Sequence, residues 1–128
     1  MNKLVLDAWA WVEYLDGTKA GGRVREMIEG NAEVWTSLIT LSEVVSRAGR
    51  SGKDGRVAAS AITTLSRVGI PGLEDATQTG LLHSQLKPRR PNFSLADSYV
   101  LQLAKKLGAK VLTGDPDFKG IKEAEILS

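Results

Sequence analysis

Short apolar runs alternate with segments of helical periodicity along most of the chain. The apolar runs predict strands at 3–6, 34–36 and 111–113, an edge strand at 125–127, and room for another short strand within 70–74. Apolar positions recurring every three or four residues predict helices at 8–15, 20–28, from Ser37 or Thr40 to 48, 57–68, 76–86 and 95–107. Strands that alternate with helices are typical of a parallel α/β sheet covered on both faces.

The last predicted helix has the clearest boundaries. Ser94 is a favourable N-cap, and Gly108 is a favourable stop just beyond the final turn. The loop before this helix, residues 87–92, is basic and rich in proline. One side of the helix carries an apolar stripe: Leu95, Tyr99, Leu103 and Leu107.

Four acidic residues stand where predicted elements meet their loops. Asp7 ends the first apolar run, and Asp115 follows residues 111–113 closely. Glu43 and Asp97 lie in the opening turns of two predicted helices. If the two strands are parallel neighbours, Asp7 and Asp115 meet at the edge where open α/β sheets bind ligands. Carboxylates gathered in one crevice repel one another unless a cation joins them, so the pattern indicates a divalent metal and phosphodiester chemistry.

Each acid also has an explanation that involves no chemistry. Asp7 is a good N-cap, and Thr40 with Glu43 has the spacing of a capping box. Asp97 would be favoured by the helix dipole, and Asp115 opens a common type of turn. Only the joint arrangement of the four favours a metal site over these structural roles.

Asp97 carries the most weight within that arrangement. Apolar Val100 and Leu101 follow it by three and four residues, so its carboxylate is expected near the core. No lysine or arginine lies within one helical turn of it. A buried carboxylate is costly without a partner, and a metal ion would supply one.

Composition narrows the class of protein. The chain has 128 residues and no cysteine, which excludes disulfides, zinc–thiolate sites and thiol nucleophiles. No apolar run approaches the roughly 20 residues that span a bilayer, and we expect a cytoplasmic protein with no membrane partner. The net charge is +2, but setting the four acids aside leaves eleven acids against 17 Lys and Arg. An acidic pocket in a basic surface suits a polyanion such as RNA.

Four stretches of the sequence resemble the PIN-domain family, and most closely its branch of VapC-type toxins. Together they run through essentially the whole chain, in the order and at the spacing of that family. The stretches are LVLD at 4–7, SLITLSEV at 37–44, SLADS at 94–98 and LTGDPDF at 112–118.

The resemblance implies a three-layer α/β/α sandwich around a short parallel sheet, in one PIN-like nuclease domain over residues 1–128. It implies an endoribonuclease that depends on Mg²⁺ or Mn²⁺ and is restrained by a small antitoxin protein. A homodimer is expected from family precedent, with the helices within 38–68 as its interface. The family's acidic positions correspond to Asp7, Glu43, Asp97 and Asp115, with a further acid at Asp117.

Two smaller features complete the comparison with the family. Thr113 matches a position where a small hydroxyl or polar residue often stands near the site. Ala8 stands where many members have Ser or Thr, which removes a supporting hydroxyl there.

The expected mechanism is hydrolysis by metal-activated water. Asp7, Asp97 and Asp115 would bind the metal directly or through water, and Glu43 would orient a bound water or hold a second ion. A metal-free ribonuclease would normally need histidine near neutral pH, and the single histidine, His83, lies far in sequence from every acid.

Contacts to RNA are harder to assign. Lys87, Arg89 and Arg90 would reach a phosphate backbone or simply be solvated. Tryptophans stack on bases in many nucleic-acid-binding proteins. At helical spacing, however, we expect packing for Trp9 and leave Trp11 open between packing and stacking.

Two other functions compete with the nuclease. A receiver-type phosphoacceptor domain has a similar length and acidic pocket, but no adjacent acid pair follows the first strand here. The alternative that is not an enzyme is a catalytically silent PIN-like module that binds RNA or an antitoxin. Intact acids at all four family positions argue against it.

Overall fold

A computed structural model describes residues 2–127 and contains a five-stranded sheet with helices on both faces. The strands are β1 (Lys3–Leu6), β2 (Glu33–Ser37), β3 (Arg67–Gly69), β4 (Lys110–Thr113) and β5 (Ala124–Ile126). The helices are α1 (Ala8–Asp16), α2 (Lys19–Glu29), α3 (Leu38–Arg50), α4 (Gly55–Leu65), α5 (Leu73–Leu86) and α6 (Leu95–Leu107), with a 3₁₀ turn at Pro116–Phe118.

The sheet has the order β3-β2-β1-β4-β5, and every pair of neighbouring strands is parallel. Strand β1 is central, with Val5 opposite Trp35 of β2 on one side and Val111 of β4 on the other. From β1 the strand order therefore runs to one side through β2 and β3, and to the other side through β4 and β5. In open α/β sheets this is the place where a crevice forms beyond the carboxyl ends of the strands.

Alternate residues of the central strands enter two separate hydrophobic cores. Leu4, Leu6 and Leu112 belong to the core under α1 to α4. Val5 and Val111 belong to the opposite core, which α6, Phe93 and Phe118 complete. Because successive side chains of a strand point to opposite faces, this division means that both faces are covered. The predicted three-layer α/β/α sandwich is confirmed.

Trp11 is wholly buried in the first core and is therefore not available to stack on a base. Its Nε1 donates to Thr36 Oγ1 at 3.0 Å, and that hydroxyl lies 2.7 Å from Ser66 Oγ, which donates to the carbonyl of Ile62. This chain of buried hydrogen bonds ties α1 to β2 and to the end of α4. Trp9 is half-buried and packs against the same core, as expected.

The segment after α4 differs from the prediction. The helix ends at Leu65 rather than at 68, and residues 67–69 form β3, which pairs with β2 from Arg67 opposite Trp35 to Gly69 opposite Ser37. The strand considered within 70–74 is absent, because Pro71 follows β3 and α5 begins at Leu73. Pairing with a distant strand decided this boundary, and local periodicity does not report such pairing.

Two details of the other helices also differ. Ser37, not Thr40, caps α3, and its Oγ accepts from the Ile39 amide at 3.2 Å, so Glu43 belongs to no capping box. The apolar stripe predicted for α6 is only partly its core face: Leu103 and Leu107 pack against the second core, but Leu95 is 49% exposed. The residues of α6 that lie against the sheet are Ser98, Val100, Leu101 and Ala104.

Among the helices of residues 2–127, none combines the length and the apolar character that a membrane span requires.

The buried position of Trp11 predicts a large effect on stability. We expect Trp11→Phe to lower the free energy of unfolding by about 1–3 kcal/mol, since it removes a buried hydrogen bond and leaves a void. Trp35→Phe, at a half-buried tryptophan that bonds Glu33 in its own strand, should cost clearly less. Urea denaturation measures both, and equal losses would contradict the role given to Trp11.

Candidate metal centre

The parallel pairing of β1 and β4 brings Asp7 and Asp115 to one edge of the sheet. Asp7 follows β1 directly and caps α1, while Asp115 follows β4 by two residues and caps the 3₁₀ turn. Leu6 lies opposite Leu112, and the Asp7 amide donates to the Leu112 carbonyl at 3.5 Å. The meeting of these two acids, which the sequence predicted, is therefore a consequence of strand register.

Asp7 is 4% exposed and is held by two hydrogen bonds. Its Oδ1 accepts from the Ala10 amide at 2.9 Å, and its Oδ2 accepts from Thr113 Oγ1 at 2.5 Å. The same threonine oxygen accepts from the Asp115 amide at 2.9 Å. Thr113, which is wholly buried, thus fixes the first acid relative to the last.

Burial raises the pKa of Asp7 from its ordinary 3.8 to about 7. The hydrogen bonds from Thr113 and Ala10 oppose this rise, and the negative charges of Asp115 and Asp97 add to it. No cationic side chain is among the causes of the shift. A nearby positive charge that would stabilise the ionised form of Asp7 is therefore not evident among its neighbours.

Asp97, Asp115 and Asp117 form the tightest acidic group. One carboxylate oxygen from each lies within 4.8 Å of the other two. None of the salt bridges in residues 2–127 involves any of the three. Burial raises the pKa of Asp97, and the charges of Asp115 and Asp117 raise it further, against the hydrogen bonds from Ser94. Like charges this close, with no paired cation, favour a bound metal.

Local structure holds these three acids in place. Asp97 is the third residue of α6, and its Oδ2 accepts from the Ser94 amide while Ser94 Oγ accepts from the Asp97 amide. Asp115 Oδ1 accepts from the Asp117 amide at 2.9 Å. The capping roles proposed for Asp7, Asp97 and Asp115 are therefore real, and they coexist with convergence on one crevice.

Glu43 stands on α3, apart from the three-acid group, and is exposed as a whole residue. Its pKa is raised, first by desolvation of the carboxyl and then by the charge of Asp97. That second cause indicates that the Glu43 carboxyl lies within electrostatic range of Asp97. Asp97, Asp115 and Asp117 thus lie together, Asp7 is joined to them through Thr113, and Glu43 is within electrostatic range of Asp97.

Trp9 and Arg90 make contacts next to the acids that the sequence does not predict. Trp9 lies against Gly114, where an added Cβ would come within 2.3 Å of the indole ring, so only glycine lets the ring approach the backbone between Thr113 and Asp115. Arg90 donates from Nη1 to the backbone carbonyl of Asp117 at 2.9 Å. The only sign in the sequence of the contact between Trp9 and Gly114 is that a glycine directly precedes Asp115.

The donor set fits a hard divalent cation. Mg²⁺ and Mn²⁺ prefer oxygen ligands, and the group that converges here consists of three carboxylates. The single histidine, His83, lies on α5 and belongs to no such group within residues 2–127.

The family model of the PIN domain matches residues 4–124. A search of curated proteins found no match. Solved structures do share the fold. VapC20 of Mycobacterium tuberculosis, a sarcin–ricin loop cleaving toxin, is 21% identical with a TM-score of 0.78, over 98% of this chain and 99% of that chain.

Two toxin–antitoxin complexes are similar in the same way. VapBC2 of Rickettsia felis, bound to a DNA fragment from its promoter, is 16% identical with a TM-score of 0.78 over 98% and 99% of the two chains. A toxin–antitoxin complex of Klebsiella pneumoniae is 18% identical with a TM-score of 0.75 over 95% of each. At these identities the likeness concerns the fold. Together with the family match over residues 4–124, it confirms the expected resemblance: this chain belongs to the PIN domain family, whose members are generally nucleases.

Proposed function

We propose that this protein is a metal-dependent endoribonuclease, the VapC-type toxin of a toxin–antitoxin pair. The observation that carries the proposal is the convergence of Asp97, Asp115 and Asp117 within 4.8 Å, beside the buried Asp7. Within residues 2–127 no lysine or arginine forms a salt bridge with the three. The PIN-domain match and the fold of solved VapC proteins support the choice of nuclease chemistry.

Each acid has a distinct role in this proposal. Asp97, Asp115 and Asp117 would hold Mg²⁺ or Mn²⁺, and Asp7 would bind it directly or through water. Glu43, within electrostatic range of Asp97, would orient the attacking water. A bound divalent ion would polarise the scissile phosphate and lower the pKa of that water. Thr113 acts through Asp7 by holding its carboxylate in one orientation.

An antitoxin is the proposed protein partner. A cavity of about 240 Å³ lies between α1, α3 and α4, on the face where Val57 is 63% exposed. Its charged residues are balanced, Arg47 and Lys53 against Asp16 and Asp54, and Lys53 is paired to Asp16. The apolar lining suits the apolar face of a short amphipathic segment. The main apolar residues of this groove are Val12, Leu15, Val44, Ala48 and Val57.

Four further expectations belong to the proposal. They are the homodimer through the helices within 38–68, the cytoplasmic location, the absence of a membrane partner, and a single nuclease domain over residues 1–128. Among the large apolar residues within 38–68, only Val57 is strongly exposed, which makes it the first position to alter in a test of the dimer.

Metal-dependent cleavage of RNA is the first prediction. Purified protein stripped of metal should cleave RNA only after Mg²⁺ or Mn²⁺ is added, and Asp115→Asn should lower the rate by at least about 100-fold, since it removes a metal ligand. A labelled stem–loop with the sarcin–ricin sequence and total cellular RNA are suitable substrates, and gel electrophoresis follows the products.

The matched control is Glu26→Gln. Glu26 is exposed on α2. The substitution removes one negative charge outside the site, so the variant should cleave RNA at the rate of the unaltered protein. Metal-independent cleavage, or cleavage that survives Asp115→Asn, would contradict the metal-centre mechanism. Mn²⁺ binding with no cleavage of any RNA would favour the catalytically silent module.

Relief of charge repulsion predicts opposite effects of Asp117→Asn with and without metal. In chelator the variant should be more stable than the unaltered protein, because two like charges remain instead of three. At saturating Mn²⁺ the unaltered protein should gain more, about 2.7 kcal/mol when the ion is at 100 times its Kd. Thermal unfolding measures both, with Glu125→Gln as the surface control. The same metal-induced gain in Asp117→Asn would remove Asp117 from the site.

The raised pKa of Asp7 predicts how stability depends on pH. Between about 4 and 7 the unfolded chain releases the Asp7 proton while the folded chain retains it, so the metal-free protein should lose stability as pH rises. The slope for one such group is at most about 1.4 kcal/mol per pH unit. Asp97 and Glu43, whose pKa values are also raised, act in the same direction.

Asp7→Asn isolates this contribution, because asparagine does not titrate and keeps an oxygen for the Ala10 amide. Urea unfolding in chelator from about pH 4.5 to 7.5 should give a flatter profile for the variant than for the unaltered protein. If the free energy of unfolding depends on pH equally in both proteins, Asp7 is ionised over this whole range and another interaction stabilises its buried charge.

A further inference from the structure

The loop between α5 and α6 brings a guanidinium to the acidic site without pairing it to an acid. Arg90 Nη1 donates to the backbone carbonyl of Asp117, whose carboxylate belongs to the three-acid group. Arg90 takes part in none of the salt bridges within residues 2–127. An arginine that is held by the backbone of the acidic turn, and not by a carboxylate, keeps its charge available to another anion.

The backbone of this loop is fixed rather than loose. The Arg90 amide donates to the Leu86 carbonyl at 2.9 Å, and the Phe93 amide donates to the Arg90 carbonyl at 2.9 Å. Phe93 and Phe118 are both wholly buried, with ring centroids 5.1 Å apart. The loop and the 3₁₀ turn that carries Asp117 therefore form one packed unit, and Arg90 has a defined place on it.

The side chain of Arg90 retains most of its hydrogen-bonding capacity. A guanidinium has five N–H donors, and the Asp117 carbonyl takes one. Gly120 packs closely on its other side: an added Cβ there would lie only 3.2 Å from Nη2, so a larger residue would press against the guanidinium. The neighbouring basic residues differ: Lys87 turns its Nζ back to the Pro91 carbonyl at 2.6 Å, and Arg89 is exposed on the surface.

We propose that Arg90 binds a backbone phosphate of the RNA strand next to the phosphate that is cleaved. A planar guanidinium with free donors matches the oxygens of a phosphate, and it would offset the repulsion between the RNA backbone and the surrounding acids. The contact to the Asp117 carbonyl sets the distance between this phosphate and the metal-binding group. This inference rests on the proposed nuclease function and adds a named phosphate subsite to it.

The test measures RNA affinity against salt concentration in full-length protein. Asp7→Asn, which leaves the three-acid group intact, is the background, with Mn²⁺ present and a fluorescently labelled stem–loop RNA as the probe. Arg90→Met should weaken binding about tenfold and make the slope of log K against log salt shallower by about 0.7, the loss of one phosphate contact. Arg90→Lys should have an RNA affinity between those of the background protein and Arg90→Met, since it keeps the charge but not the planar guanidinium.

Arg89→Met is the matched control, because it removes the same charge one residue away and should leave both affinity and slope unchanged. Mn²⁺ affinity, followed by the electron paramagnetic resonance of the free ion, should be the same in Arg90→Met, since the ligands remain. Equal effects of the two arginine variants, or an unchanged slope, would overturn the inference. A parallel loss of Mn²⁺ affinity in Arg90→Met would also overturn it, since Arg90 would then serve only to hold the turn that carries Asp117. A complete absence of RNA binding would overturn it as well.

The proposed function would fail in a different way. A protein that binds RNA with the stated dependence on Arg90, yet in unaltered form cleaves none with any divalent metal, would contradict the nuclease and leave the phosphate contact standing.

Discussion

The register between β1 and β4 is the constraint on which the site depends. With Leu6 opposite Leu112, the next residues of each strand bring Asp7 and Thr113 into hydrogen-bonding distance, and Thr113 in turn holds the Asp115 amide. A shift by one residue would turn the side chains of β4 to the opposite faces and separate these groups. The two hydrophobic cores fix the register, because Leu112 and Val111 must enter different cores. Burial of apolar residues thus positions the acids.

The acids themselves oppose folding. Asp7 is buried with a pKa of about 7, and three further carboxylates stand together without a paired cation. Natural proteins keep such arrangements where function requires them, and a bound ion turns the repulsion into attraction. The same account explains why Arg90 is held by a carbonyl: an arginine paired to Asp97 or Asp115 would relieve the strain and occupy the position of the metal.

The sequence predicted the parts of the molecule that local rules determine. Strand ends, caps and Gly108 placed Asp7, Asp97 and Asp115 correctly, since each stands at the end of an element with a clear hydrophobic pattern. Contacts between distant segments were beyond local rules. Strand β3 forms only because it pairs with β2. The stripe of α6 reaches the core only at Leu103 and Leu107, because the position of the sheet leaves Leu95 exposed. The contact of Arg90 with the Asp117 turn joins residues 27 apart in sequence and has no local signal.

The central claim is that these acids form one metal centre. Crystals grown with Mn²⁺, measured at a wavelength where manganese scatters anomalously, test it without reference to any substrate. The account predicts an anomalous peak bounded by the carboxylates of Asp97, Asp115 and Asp117, on the side that Asp7 and Glu43 border. Full Mn²⁺ saturation in solution with no peak at this position, or with a peak elsewhere on the protein, would contradict it.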